Sequence, residues 1–206
     1  MQTQEISLSN LLEIGWAKGM SYQQYRLLVQ KLALEKKSTG PIQTESLIDY
    51  TMLNDRRMKR WDKVLKLDDE TVLKIKKVNQ RINWLVLTES WCGDASPALP
   101  VMNKISELNP NISFKILLRD ENLELMNQFL TNGSMSIPKL ISFDATDKDV
   151  MGTWGSRSKA ATELVEDFKR EHGELTAEFK QNLQIWYNKD KGNSILKDLL
   201  SLLSLK

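Results

Sequence analysis

The chain has 206 residues, 41% hydrophobic and 27% charged, with 29 basic against 27 acidic side chains. These values are ordinary for a folded soluble protein, and the near-neutral balance gives no global reason to expect nucleic acid or an anionic membrane as partner. A single cysteine, Cys92, and a single histidine, His172, exclude an intrachain disulfide and a zinc site of four Cys/His ligands, so no metal is expected.

The opening MQTQEISLSN lacks the basic region and apolar run of a secretory signal, and no apolar stretch approaches the ~20 residues needed to cross a bilayer. One cysteine also fits a reducing compartment. A soluble cytoplasmic protein is expected.

Residues 1–80 are predicted to be helical. Ser7 or Ser9 caps a first helix with Leu11, Leu12, Ile14 and Trp16 on one broad face. Ser21 caps a second, carrying Tyr22, Tyr25, Leu28 and Leu32. The loop KKSTGP ends it, because Gly and Pro together break a helix. A long third helix is expected over Thr44–Leu65, with Leu47, Ile48, Thr51, Met58, Trp61 and Leu65 inward, and a fourth from Asp68 or Asp69 to Asn79. The basic cluster from Arg56 to Arg81 is interleaved with the acids Asp55, Asp62, Asp68, Asp69 and Glu70, so it reads as a solvated helix face rather than a nucleic-acid surface.

From Arg81 the pattern changes. Ile82–Leu87 is a buried strand, Ala95–Leu108 a helix, Ile112–Leu118 a second strand and Asn122–Leu130 a short helix. Lys139–Phe143 and Val150–Trp154 form a hairpin, and a helix capped by Ser156 or Ser158 runs to Arg170 and stops at Gly173. A strand-helix-strand unit implies a parallel pair, and the short later connection an antiparallel one. The expected core is therefore α/β, with a mixed sheet and helices on both faces. Residues 174–206 return to helix, ending in a face of Ile195, Leu196, Leu199, Leu200 and Leu203 that must be buried. Packing on the N-terminal helices, or a homodimer or partner groove, would bury it.

Trp91-Cys92-Gly93-Asp94-Ala95 lies where the first strand gives way to a helix. A thiolate there is stabilised by free backbone N–H groups and the positive end of the helix dipole. Asp94 and Glu89 push the other way, and a modest net lowering of the Cys92 pKa is expected. Asp94 also suits a first helical turn. A lone cysteine is more often a small buried hydrophobe than a nucleophile, but one flanked by Trp, Gly and Asp at a strand-to-helix turn is expected to be open rather than buried.

Over residues 82–172 the chain resembles the thioredoxin fold. Trp91-Cys92-Gly93 matches the start of the Trp-Cys-Gly-Pro-Cys motif, and Pro100 stands where the family has its helix-kinking proline. Ser136-Ile137-Pro138 resembles the cis-proline loop, and Gly155 the glycine after the last strand. The whole chain resembles bacterial thioredoxin-family proteins with a helical N-terminal extension and a Trp-Cys-Gly-Asp motif. The resemblance implies a four-stranded sheet of order 2-1-3-4 in a domain of residues 81–173, flanked by helical extensions at 1–80 and 174–206. It implies Cys92 as nucleophile, with Trp91, Gly93, Asp94, Ile137 and Pro138 shaping a substrate groove.

Three departures limit the chemistry that this resemblance implies. Ala95 replaces the resolving cysteine, Asp94 the motif proline, and Val86 the buried acid that assists proton transfer. A mixed disulfide at Cys92 would have to be released by glutathione, another small thiol or a substrate cysteine. Monothiol thiol–disulfide exchange with protein or small thiols is the expected activity, with no bound cofactor. A redox-inert module that binds a protein partner in the same groove is the alternative.

Overall fold

The computed structural model describes residues 7–203. Residues 1–6 and 204–206, the outer ends of the two expected helical extensions, lie outside the described residues. Four helices come first: α1 (Leu8–Lys18), α2 (Tyr22–Glu35), α3 (Glu45–Val64) and α4 (Asp69–Lys76). Each starts where a side-chain oxygen meets a free backbone N–H: Ser7, Ser21, Thr44 and Asp68 are the N-caps. Ser21 and Gln24 complete a reciprocal capping box.

The core comes next, as β1 (Ile82–Thr88), α5 (Ala95–Leu108), β2 (Ile112–Leu118), a 3₁₀ turn (Arg119–Glu121), α6 (Leu123–Asn127), β3 (Lys139–Asp144), β4 (Val150–Trp154) and α7 (Lys159–His172). Helices α8 (Ala177–Asp190) and α9 (Asn193–Leu202) complete the chain. The sheet order is β2-β1-β3-β4, with β1 parallel to β2 and antiparallel to β3, and β3 antiparallel to β4. This is the mixed four-stranded sheet of a thioredoxin-like fold, with helices added at both ends.

Every residue of β1 is buried, as are Lys139–Phe143 of β3. Since successive side chains point to opposite faces, both faces of the sheet centre are covered. Gly15 of α1 sits against Leu85 and Leu117 on one face. That contact explains a departure from the expected α1 face: Gly15 is buried, while Ile14 is turned to solvent. The first 80 residues also contribute a β-bridge, Met20 with Ile116, which fastens the segment between α1 and α2 to the open edge of β2.

The leucine-rich face of α9 buries against β4, α5 and α7 rather than against the N-terminal helices. The edge strand β4 offers the space. Gly152 has no side chain, and Leu202 reaches to where a Cβ would stand. Trp154 Nε1 donates to Asp198 of α9 at 3.2 Å.

The Ile137-Pro138 bond is cis, as the sequence resemblance implied. Gly155, with φ +117°, packs on this loop so closely that a Cβ would lie 2.0 Å from the Pro138 carbonyl oxygen. We predict that Gly155→Ala destabilises the fold by about 3 kcal/mol or more, lowering Tm by roughly 6 °C or more for a chain of this size. The control Gly133→Ala, also at positive φ but with open space around it, should cost only ~1–2 kcal/mol. Thermal unfolding of the two variants checks the ranking, and equal losses would contradict it.

Candidate functional site

The turn Glu89–Asp94 links the end of β1 to α5, and its backbone is held from the N-terminal side. Ser90 Oγ accepts from the Thr39 N–H at 2.9 Å and pairs with Thr51 Oγ1 at 2.8 Å. The Ser90 N–H donates to Thr39 Oγ1 at 2.8 Å, and Asn54 Nδ2 donates to the Ser90 carbonyl at 3.0 Å. All four residues are buried, so each bond replaces water that cannot reach the group. The α2–α3 loop and α3 are thereby part of the site's foundation.

Cys92 stands next in the turn. It is buried, with 6% of its surface exposed, and its thiol donates to the Ile137 carbonyl at 3.3 Å. Cys92 and the cis-proline loop are thus brought together as expected. Two expectations are corrected. The thiol is buried rather than open, and its pKa is raised to about 12 rather than lowered. Burial is the main cause and the Asp94 carboxylate the next, while the Asp94 and Ala95 N–H groups and Arg157 pull it down less.

Asp94 occupies the N-cap position of α5 but makes no capping hydrogen bond. Its carboxylate turns instead to the C-terminal half of the chain. Arg157 Nη2 lies 2.7 Å from Oδ2, and the Tyr187 hydroxyl donates to Oδ1 at 3.0 Å. Burial still pushes the Asp94 pKa up, opposed by Arg157 and Tyr187. Glu89 is buried too, with its pKa raised by burial, and its Oε1 accepts the Asp120 N–H at 2.9 Å. Of the two acids expected to act on the thiol, Asp94 carries the effect.

Gly93 presents its carbonyl to Ser96 Oγ at 2.8 Å and to Gln184 Nε2 of α8 at 3.3 Å. Trp91 is half-buried, with the Arg119 guanidinium 5.1 Å from its ring centre. Ala95, in the place of the resolving cysteine, is buried in the first turn of α5. Pro100 lies within the same helix. Between α3, α8 and the turn is a cavity of about 750 Å³ whose wall includes Trp91, Cys92, Asp94 and Ile137. Helix α8 lies along the expected groove and makes it a walled cavity. Among the described residues no cluster of His, Cys, Asp or Glu could hold a metal ion, and no helix is long and apolar enough to cross a membrane.

A thioredoxin family model matches residues 40–169, well over half the chain and including all four strands. The chain belongs to the thioredoxin family. The matched segment begins before α3, so it takes in the helix that anchors Ser90. Two solved structures are similar to this thioredoxin-family protein. One is a protein of unknown function from Pseudomonas aeruginosa, with a TM-score of 0.58 and 19% identity, covering 74% of this chain and 84% of that one. The other is an HIV epitope-scaffold, with a TM-score of 0.57 and 18% identity, covering 74% and 85%. At these identities the likeness concerns the fold. No curated protein matches the chain.

Sequence reasoning missed Arg157, Tyr187, Gln184, Asn54 and Ser90. Arg157 alone left a local trace, as the one charged residue between the glycine after β4 and the cap of α7. Asp94→Asn should remove a negative neighbour and leave Arg157 facing the thiol. We therefore predict a lower Cys92 pKa and, at pH 8, alkylation about tenfold faster than wild type, the equivalent of ~1.4 kcal/mol in favour of the thiolate. An unchanged or slower rate in a variant that still melts cooperatively would contradict this assignment.

Proposed function

We propose that this thioredoxin-family protein is a ligand-binding module that uses the family's active-site position as a pocket wall rather than as a self-contained redox centre. The observation that carries this is the state of Cys92. Its thiol is buried, protonated and spent on the Ile137 carbonyl. That carbonyl belongs to the loop residue expected to meet an extended substrate, and it already has a partner. With Ala95 in the resolving position, no second sulfur could complete a dithiol cycle. A cavity of about 750 Å³ falls in the range of small-molecule sites.

Monothiol exchange is the second reading, favoured by the presence of Cys92 on the cavity wall beside the cis-proline loop. In that chemistry the deprotonated Cys92 sulfur attacks a disulfide, forming a mixed disulfide and expelling one thiolate. A second external thiol, such as glutathione, then attacks the mixed disulfide, regenerating Cys92 and leaving the electrons balanced. Protein or small thiols of a reducing cytoplasm would be its partners.

The two differ in what Cys92→Ser does. With hydroxyethyl disulfide as substrate and glutathione as reductant, a binding module gives equal disulfide turnover in wild type and Cys92→Ser, and no mixed-disulfide adduct by intact-mass spectrometry at pH 7.5. Turnover that depends on Cys92, with a trapped mixed disulfide, would replace the binding module with the exchange reaction.

A further inference from the structure

The cavity is not electrically neutral. Its charged lining is Arg57 from α3, Arg157 from the segment before α7, Lys180 from α8 and Asp94 from the turn. Asp94 is the only acid among them, and it is already committed to Arg157 and Tyr187. Neither Arg57 nor Lys180 has a carboxylate within salt-bridge distance among the described residues. Arg57 gives Nη1 to the Asn54 side-chain oxygen at 3.1 Å. It is half-buried, and desolvation lowers its pKa. Asp94 is near enough to act on Arg57 but is not in contact with it, and a guanidinium partly removed from water with no carboxylate in contact gains from any anion brought beside it.

The geometry sets where that anion would sit. A Cβ placed on Gly93 would lie 3.8 Å from both Arg57 Nη1 and Gln184 Nε2, so these two donors converge over the turn at the start of α5. The rest of the wall is largely apolar, with Leu47, Tyr50, Leu53, Trp91, Ile137 and Leu183 around it. An extended peptide is a poor match, because α8 lies along the groove and the Ile137 carbonyl accepts from the thiol.

We infer that the cavity binds a small organic anion, with its charged group held by Arg57 and Gln184 over Gly93, Lys180 adding positive charge from the cavity wall, and its apolar body against Trp91 and Leu183. This rests on the binding function proposed above and adds the ligand's chemistry. Carboxylate, sulfonate and phosphate share the recognition, since each offers several acceptor oxygens to a guanidinium fork.

The test uses two dyes that differ by one charged group, 8-anilinonaphthalene-1-sulfonate and its uncharged parent N-phenyl-1-naphthylamine. Each is titrated fluorimetrically into the full chain at low salt. Wild type should bind the sulfonate at least tenfold more tightly than the neutral dye. Arg57→Met and Lys180→Met should each weaken the sulfonate severalfold and leave the neutral dye unchanged. Lys76→Met, on exposed α4 away from the cavity, should change neither. Because Lys180 is exposed, its variant keeps the test intact if Arg57→Met melts early. Equal affinities for the two dyes, or sulfonate binding indifferent to Lys180→Met, would overturn the anion assignment while leaving a binding pocket in place. No binding of either dye would overturn the pocket itself.

Discussion

The site depends on where one carboxylate points. Asp94 could have capped α5, as an acid at that position commonly does. It reaches instead across the fold to Arg157 and Tyr187. Those two contacts tie the turn after β1 to the segment after β4 and to α8, which are far apart in sequence. A buried ion pair of this kind contributes little net stability against an apolar replacement, but removing one partner leaves an uncompensated charge. Its role here is positional: it fixes α8 over the turn. With Gln184 on the Gly93 carbonyl and α3 fastened through Ser90, the family's open groove becomes a cavity with two helical walls.

The same carboxylate helps to decide the chemistry of Cys92. Two effects compete at a thiol at the start of a helix. The helix end favours the thiolate by about 2 kcal/mol at most, even in favourable partly buried geometry. Loss of hydration costs an ionised group several kcal/mol when it is fully buried. Cys92 is buried and has Asp94 beside it, so desolvation prevails and the thiol stays protonated. A helix N-terminus activates a cysteine only where water or a cation can also support the charge. Arg157 is close enough to lower the pKa, but most of its charge is answered by Asp94.

The legible parts of the sequence were those governed by local periodicity. The unbroken apolar run of β1 announced a strand buried on both faces, and Ala95–Leu108, Ile112–Leu118 and Val150–Trp154 fell where their patterns placed them. Trp91-Cys92-Gly93 and Ile137-Pro138 were readable because each is contiguous, and the fold brings them into contact. Arg157, Tyr187 and Gln184 were not readable. Tyr187 and Gln184 lie 93 and 91 residues from the groups they meet, with no spacing rule to connect them. The Cys92 environment was misjudged for the same reason, since its burial depends on helices outside the motif. The seat of α9 was missed because β4 offers a glycine, Gly152, where a side chain would have kept Leu202 out.

Cys92 is, in this reading of the site, a protonated part of a pocket wall. Its most direct test is the thiolate absorbance at 240 nm, titrated from pH 6 to pH 10 as the difference between wild type and Cys92→Ser. No Cys92-dependent step is predicted across this range, because burial and Asp94 hold the pKa at about 12. A step centred at or below the free-cysteine value of about 8.5 would contradict this and return the site to nucleophilic chemistry.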